Sequence, residues 1–299
     1  MPESMRIRFV NVATNLLVHD ESIAIVLAAI GRRSFDDQVL PEGARRRIVD
    51  VGIREQTQIG VAAGLSLEGL RPIVMGYAPF LIERPFEQIK LSVTHQGASA
   101  TLVSVGASWD ASAEGRTHQA PEDVALMSTL PGWTVQVPGH ADELETFLRE
   151  SVVNNARTYI RTSGESNEHL FDTGAGRIVT LRRGSASAPT ILALGPAADD
   201  VLAAAIGLDM TVLYASTVEP FDAHGLRAAV LGDSIAVVEH HVTGTTMSRV
   251  VDALRDRPMR FHAIGIDNPE LARYGTPAEH KKAHRLDPQG IRHQISDIR

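Results

Sequence analysis

The sequence predicts an α/β protein: a doubly wound parallel sheet followed by a second, smaller α/β domain. Three observations support this prediction. The length of 299 residues favours about two domains. Continuous apolar runs, typical of strands covered on both faces, alternate with segments of helical spacing through most of the chain. A stretch rich in Gly, Ser and charge separates two such alternating regions.

The first region alternates from its start. Short apolar runs predict strands at residues 23–27, 48–51, 72–75, 100–105, 133–137 and 157–161. Apolar residues at helical spacing predict helices at residues 6–19, 56–67, 84–94 and 141–154, with another beginning at 121–123. Residues 31–37 and 106–120 are interpreted as loops at the ends of strands. This order indicates a doubly wound parallel sheet.

The second region repeats the alternation on a smaller scale. Strands are predicted at residues 190–194, 210–214, 234–239 and 260–264. Helices are predicted at residues 197–206, 222–230, 245–254 and 288–297. We place the domain boundary in the stretch at 163–187, which gives domains at residues 1–173 and 174–299.

Composition excludes several classes of function. The chain has no cysteine, which rules out disulfides, thiolate metal sites and cysteine nucleophiles. A net charge of −7 gives no electrostatic footprint for nucleic acid. No apolar run approaches the ~20 residues of a membrane span, and the amino terminus does not resemble a signal peptide. We therefore expect a cytoplasmic enzyme or enzyme subunit.

Familiar single motifs are absent. There is no Walker-type phosphate loop, no GxGxxG after a strand and no nucleophile elbow. His280 and His284 have the spacing of metal ligands, but their charged surroundings favour a solvated helix face, so no metal ligand is predicted. For His240 and His241, a structural place at a domain contact and a functional role are equally compatible with the sequence.

Chemically capable side chains cluster at predicted strand ends. Glu55 lies where a strand passes into a helix, and Tyr77 with Phe80, His118 and Arg161 follow other strands. Because the carboxyl ends of parallel strands form the ligand-binding crevice of an open sheet, we expect these side chains to share one site. The alternative for Glu55 alone is a carboxylate that only complements its helix dipole.

At these residues the chain resembles the transketolase family of thiamine-diphosphate enzymes. The resemblance runs in order from about residue 6 to 296. It includes the segments VGIREQ (51–56), AAGL (62–65), FLIERPFEQI (80–89), EGRTHQ (114–119), VEPFD (218–222) and VVEHH (237–241).

The resemblance covers only part of a full-length member of that family. It includes the pyrimidine-binding and carboxyl-terminal domains, but the Gly-Asp-Gly motif of the domain that binds the diphosphate through Mg²⁺ is missing from this sequence. It therefore implies a split enzyme. Thiamine diphosphate would be shared with a companion subunit that holds the Mg²⁺ ligands, in a heterotetramer with two copies of each chain.

The resemblance also implies roles for individual residues. Glu55 matches the catalytic glutamate that hydrogen-bonds the pyrimidine ring nitrogen and so promotes loss of the thiazolium proton. Tyr77 and Phe80 match aromatics that pack on the pyrimidine, and Ile53 belongs to the same cofactor-binding segment. The substrate-binding set implied is His118, which also shuttles protons, Glu114, Arg161 as a phosphate ligand and, in a weaker register, Arg33.

Several positions depart from the family pattern. Glu114 replaces the usual Asp that contacts substrate hydroxyls, Gly106 replaces a phosphate-contacting His, Arg116 replaces a small residue or Pro, and Trp109 adds bulk. We therefore expect a sugar other than the ordinary pentose phosphates, such as a larger or unusual one. Two other functions remain open at this point: the beta subunit of a 2-oxo acid dehydrogenase decarboxylase component, and a non-catalytic scaffold subunit.

Overall fold

The computed structural model describes residues 3–174, 176–270, 274–296 and 298. Its strands in chain order are β1 (Ile23–Leu27), β2 (Ile48–Asp50), β3 (Arg71–Tyr77), β4 (Thr101–Val105), β5 (Thr134–Gln136), β6 (Thr158–Arg161), β7 (Val179–Arg182), β8 (Thr190–Leu194), β9 (Thr211–Ala215), β10 (Thr217–Glu219), β11 (Ser234–Val242) and β12 (Arg260–Ile266).

Helices cover both faces of the sheets. In chain order they are α1 (Met5–His19), α2 (Arg32–Asp36), α3 (Glu42–Arg45), α4 (Glu55–Leu67), α5 (Phe86–Gln88), α6 (Asp123–Ser128), α7 (Ala141–Val153), α8 (Ala198–Ala204), α9 (Ala223–Ala229), α10 (Met247–Leu254), α11 (Pro277–Ala283) and α12 (Pro288–Ser296). None of the helices in the described part of the chain is long and apolar enough to cross a membrane.

The strands form two sheets, and the predicted α/β fold is confirmed. The first sheet has the order β10-β5-β6-β4-β3-β1-β2, and the second has the order β12-β11-β8-β9-β7. Strands β1 to β6 are parallel. Every residue of β1 and β4 is buried, which explains their uninterrupted apolar sequences.

Both sheets gain an edge strand that the sequence analysis missed. Strand β7 pairs antiparallel with β9 and lies inside the stretch at 163–187 in which we place the domain boundary. Strand β10 lies in the second half of the chain but pairs antiparallel with β5 of the first sheet. The two halves are therefore joined by backbone hydrogen bonds as well as by packing, and the predicted boundary at 173/174 stays a prediction.

The predicted helix at residues 84–94 is also corrected. A π-helical turn at Pro79–Glu83 precedes the short α5, and a second π-helical segment follows at Ile89–His95. Loop residues 31–37 contain α2, which had not been predicted. The predicted last helix is α12, and its expected end at Asp297 lies outside the described residues.

A buried carboxylate joins the two halves. Glu143 on α7 is 3% exposed and accepts hydrogen bonds from the backbone N–H of Gly139 at 2.7 Å and the hydroxyl of Tyr214 on β9 at 2.6 Å. Burial raises the pKa of Glu143 to about 7, although these hydrogen bonds oppose the shift. The folded protein therefore favours the neutral carboxyl between its unfolded and folded pKa values.

Stability should consequently depend on pH at this residue. Because the folded pKa is raised, the ionised form imposes a cost that is absent below about pH 4.5 and complete above about pH 7. We predict that Glu143→Gln gains stability relative to wild type as pH rises through this window, by up to about 3 kcal/mol. Urea unfolding at a series of pH values measures the change. Glu150→Gln, at an exposed position of the same helix, is the control, and its difference from wild type in free energy of unfolding should not change across this pH range. A flat difference for Glu143→Gln would contradict the prediction.

Candidate active site

The candidate site begins at a tight turn between β2 and α4. The Asp50 carboxylate accepts backbone hydrogen bonds from Gly52 at 3.0 Å and Ala29 at 2.9 Å, which ends β2 against the loop after β1. Gly52 has φ +69°, a conformation that glycine adopts without strain. The chain then enters α4 at Glu55, as the position of the glycine in the sequence indicates.

Helix α4 is anchored beneath this turn by Gln58. Its buried side-chain amide donates to the carbonyl of Val26 at 2.9 Å and to that of Met75 at 3.0 Å. These carbonyls belong to β1 and β3, so the first turn of the helix is tied to two central strands. The position of Glu55 is thereby fixed by the sheet.

The Glu55 side chain is buried, and only one of its two carboxylate oxygens has a hydrogen-bond partner among the described residues. It is 2% exposed, and its Oε2 accepts a hydrogen bond from Nη1 of Arg84 at 2.7 Å. Its Oε1 is buried without a hydrogen-bond partner among the described residues. A buried carboxylate oxygen without a partner is costly, and it indicates a place for a ligand donor.

Three predicted residues lie together beside Glu55. The ring centroid of His118 is 5.0 Å from that of Phe80 and 5.8 Å from that of Tyr77, and the two aromatic rings are 6.3 Å apart. All three pairs meet edge to face. Arg84 links this group to Glu55, since its Cζ lies 4.3 Å from the centroid of Phe80. The structure thus brings Glu55, Tyr77, Phe80 and His118 into one cluster.

A cavity of about 250 Å³ adjoins this cluster. Its lining includes Tyr77, Gly106, Glu114 and Asp110. Glu114 is a predicted site residue and Asp110 is not, although its charge within the small-residue segment 106–120 was an available signal. Burial raises the pKa of Asp110 to about 6, against the opposing hydrogen bond from the backbone N–H of Gly164.

Arg116 holds the loop that carries His118. Its guanidinium donates to the carbonyl of Gln119 and to the carboxylate of Glu122, each at 2.6 Å, and to Glu270 at 3.2 Å. The loop is thus fastened on both sides of His118. This accounts for a long basic side chain at a position where the resembled family has a small residue.

Two predicted residues lie outside these contacts. Ile53 is 75% exposed at the turn before α4. Arg33 lies on α2, and within the described residues no hydrogen bond or ion pair joins it to the cluster. Their assignments to cofactor and substrate binding stay predictions.

The expected role of Arg161 in binding a substrate phosphate stays a prediction, and the structure shows this side chain paired within the protein. Its side chain is 1% exposed, and Nε donates to both carboxylate oxygens of Asp123, at 2.8 and 3.0 Å. Its Nη2 donates to Ser108 at 2.5 Å and to the carbonyl of His240 at 3.3 Å. The guanidinium is therefore enclosed, and the partners that the structure gives it are protein atoms.

The histidines also differ in part from expectation. His240 lies at the contact between the halves of the chain, one of its two predicted alternatives, and its carbonyl accepts a hydrogen bond from Ser108. His280 is 3% exposed and His284 stacks on Trp109, with ring centroids 5.9 Å apart, so the predicted solvated face is wrong.

One group in the described residues has metal-ligating side chains close together: Glu165, Asp200 and His240. The ammonium of Lys281, however, forms ion pairs with both carboxylates. This cation already pairs with both carboxylates, so the group is interpreted as a structural cluster.

Removing Arg161 should destabilise the fold. Arg161→Met would leave the Asp123 carboxylate buried without its cation, and we predict a loss of about 3–5 kcal/mol in urea unfolding of the chain. Arg157→Met is the control, because that half-buried guanidinium meets a backbone carbonyl at 3.2 Å rather than a carboxylate. Arg157→Met should lower the free energy of unfolding by less than half as much as Arg161→Met. Asp123→Asn should recover part of the loss in the double variant. Unchanged stability of Arg161→Met would contradict the assignment and return Arg161 to the ligand site.

Comparison with known proteins identifies the family. Residues 8–167 match the family model of the transketolase pyrimidine-binding domain. An uncharacterised 33.6 kDa protein in the fasciation locus of Rhodococcoides fascians is 38% identical, with 93% of this chain and 89% of that protein covered. One of the subunits of an apulose-4-phosphate transketolase from Actinobacillus succinogenes is 28% identical, with 82% of each chain covered.

Longer proteins and a solved structure complete the comparison. A 1-deoxy-D-xylulose-5-phosphate synthase of Magnetococcus marinus is 30% identical over 84% of this chain, which spans 42% of that enzyme. A solved split-gene transketolase, described as an inactive beta4 tetramer, superposes with a TM-score of 0.84 at 24% identity, covering 99% of this chain and 98% of that one. That likeness supports the fold, and the matched domain, which covers more than half of the chain, shows that this chain belongs to the transketolase family.

Proposed function

We propose that this chain is the pyrimidine-binding subunit of a two-component transketolase that moves a two-carbon ketol unit between a ketose donor and an aldehyde acceptor. The proposal is supported above all by the buried carboxylate of Glu55, which has one oxygen without a hydrogen-bond partner among the described residues. This carboxylate lies beside the cluster of Tyr77, Phe80 and His118. The apulose-4-phosphate transketolase relative, which is itself named as one subunit and has a similar length, supports the division into two chains. Activity would require a companion subunit.

The residues present fit the aminopyrimidine half of thiamine diphosphate. Glu55 offers an acceptor oxygen within a buried site, and Tyr77 and Phe80 offer aromatic surface next to it. When bound, the cofactor supplies the nucleophilic carbon that carries the transferred unit. The sequence has no Gly-Asp-Gly segment, so Mg²⁺ and the diphosphate are assigned to the companion subunit.

The chain's own residues then have distinct tasks. Glu55 would hold a proton against the pyrimidine ring nitrogen, where burial favours a strong hydrogen bond. His118, packed against both aromatics, would move protons at substrate oxygens. Glu114 lines the adjoining cavity and would accept hydrogen bonds from sugar hydroxyls.

Glu55 provides the direct test of catalysis. In a complex reconstituted with the companion subunit, we expect Glu55→Gln to lower kcat at least a hundredfold, because the amide cannot transfer the proton. Glu87→Gln, on α5 outside the cluster, is the control. Turnover of Glu55→Gln near that of wild type would indicate a scaffold subunit instead. Oxidation of a 2-oxo acid with lipoamide, without use of ketoses, would indicate a dehydrogenase component.

Tyr77 and Gly106 bear on substrate choice. A Cβ placed on Gly106 would lie 2.4 Å from Cδ1 of Tyr77, and Gly106 has φ +75°. The histidine that the family usually carries there is therefore incompatible with this placement of Tyr77. The cavity next to the cluster accordingly lacks that phosphate contact.

We predict that xylulose 5-phosphate with ribose 5-phosphate is a poor substrate pair. Its kcat/KM should fall at least about tenfold below that of the best donor and acceptor in a panel of larger or branched sugars, because one phosphate contact is missing. Product analysis by mass spectrometry measures the panel. A pentose phosphate pair as the best substrates would contradict the prediction, and formation of 1-deoxy-D-xylulose 5-phosphate would favour a synthase.

A further inference from the structure

Arg84 makes two contacts at the candidate site that bear on cofactor binding. Its Nη1 donates to Oε2 of Glu55 at 2.7 Å. Its guanidinium carbon lies 4.3 Å from the ring centroid of Phe80, at a distance typical of cation–π stacking. Arg84 therefore binds the carboxylate and covers the aromatic ring at the same time.

These are the same two partners that the aminopyrimidine would use. Both groups are flat and stack on an aromatic face, and both can share a hydrogen bond with the Glu55 carboxyl group, the guanidinium through its N–H and the pyrimidine through its ring nitrogen. Two flat groups cannot lie on one face of Phe80 together. Binding of the cofactor in the arrangement proposed above therefore competes with this placement of Arg84.

The local backbone explains how Arg84 reaches both partners. It directly follows the π-helical turn Pro79–Glu83, and its backbone N–H donates to the carbonyl of Pro79, five residues earlier, at 3.1 Å. In this wide turn Phe80 and Arg84, four residues apart, lie along one side of the helix. Insertions of this kind are frequent at functional sites.

We propose that Arg84 is a resident counter-ion that occupies the pyrimidine position until thiamine diphosphate displaces it. The inference rests on the proposed function. In the unloaded chain, the guanidinium neutralises a carboxylate whose side chain is 3% exposed and would otherwise be buried as an unpaired charge. The Arg84 side chain is itself 40% exposed, which gives it a route to solvent.

The proposal has a measurable consequence for affinity. A binding-competent state that is only partly populated weakens the apparent affinity by that fraction. Arg84→Ala should therefore bind thiamine diphosphate about five- to tenfold more tightly than wild type. Isothermal titration of the complex of this chain with its companion subunit, in the presence of Mg²⁺, measures the dissociation constant. Arg255→Ala, which removes an exposed arginine far along the chain, should leave it unchanged.

Unfolding of the chain without cofactor tests the other half of the proposal. Arg84→Ala should lower the midpoint of thermal unfolding in the wild-type background but much less in a Glu55→Gln background, since the buried charge is then gone. Additive effects of the two substitutions would show that the ion pair does not neutralise Glu55, and would overturn the proposal.

The two measurements separate the possible failures. Weaker or unchanged cofactor binding by Arg84→Ala, with tight binding by wild type, would overturn the counter-ion role and make Arg84 a cofactor-positioning or neutral residue. Absence of binding in wild type and in every variant would overturn the proposed function, and the displacement with it, whatever the unfolding data show.

Discussion

The buried ion pair between Arg161 and Asp123 is the contact on which the rest of the site depends. Both side chains are almost completely enclosed. The free-energy cost of removing two charges from water is offset only when further hydrogen bonds satisfy both groups. Here the hydroxyl of Tyr159 donates to Asp123 at 2.6 Å, and Arg161 reaches Ser108 and a carbonyl of the second half. One pair thus connects β6, α6, the loop after β4 and the end of β11.

This connection determines where the loop that carries His118 can lie. Ser108 lies near the start of the segment that leads to His118, and its hydroxyl also donates to the carbonyl of His240. Near the other end of the segment, the guanidinium of Arg116 donates a hydrogen bond to the carboxylate of Glu122, the residue before Asp123. A loop rich in small residues has little packing of its own, so polar contacts at its two ends set its position. The position of His118 against Phe80 therefore depends on charged side chains that are paired with other protein groups.

The sequence predicted the fold to the extent that local patterns decide it. Strands such as β1 and β4 are buried on both faces, and their apolar runs are continuous for that reason. Strands β7 and β10 are short edge strands whose pairing depends on distant partners, and nothing local predicts it. Glu55 could be placed because a strand, a glycine and a helix follow one another. The surroundings of Arg161 could not be predicted in this way. The local sequence of an arginine at a strand end is the same whether its side chain faces water or a carboxylate 38 residues earlier, such as that of Asp123.

In the function that we propose, the Glu55 carboxylate serves a cofactor, yet the chain has to fold while that cofactor is absent. Glu55 has to be buried, since a carboxylate in water forms weaker hydrogen bonds to a ligand. An unpaired buried charge, however, destabilises the free chain. A permanent, enclosed partner like that of Asp123 would stabilise the fold but leave no acceptor for a ligand. The arrangement at Glu55 avoids both difficulties, because one oxygen is bonded to a guanidinium that is partly in solvent and the other has no partner among the described residues. The two arginine–carboxylate pairs of this site thus differ in burial: the enclosed pair of Arg161 and Asp123 stabilises the fold, and the partly exposed pair of Arg84 and Glu55 is the one that we propose a ligand opens.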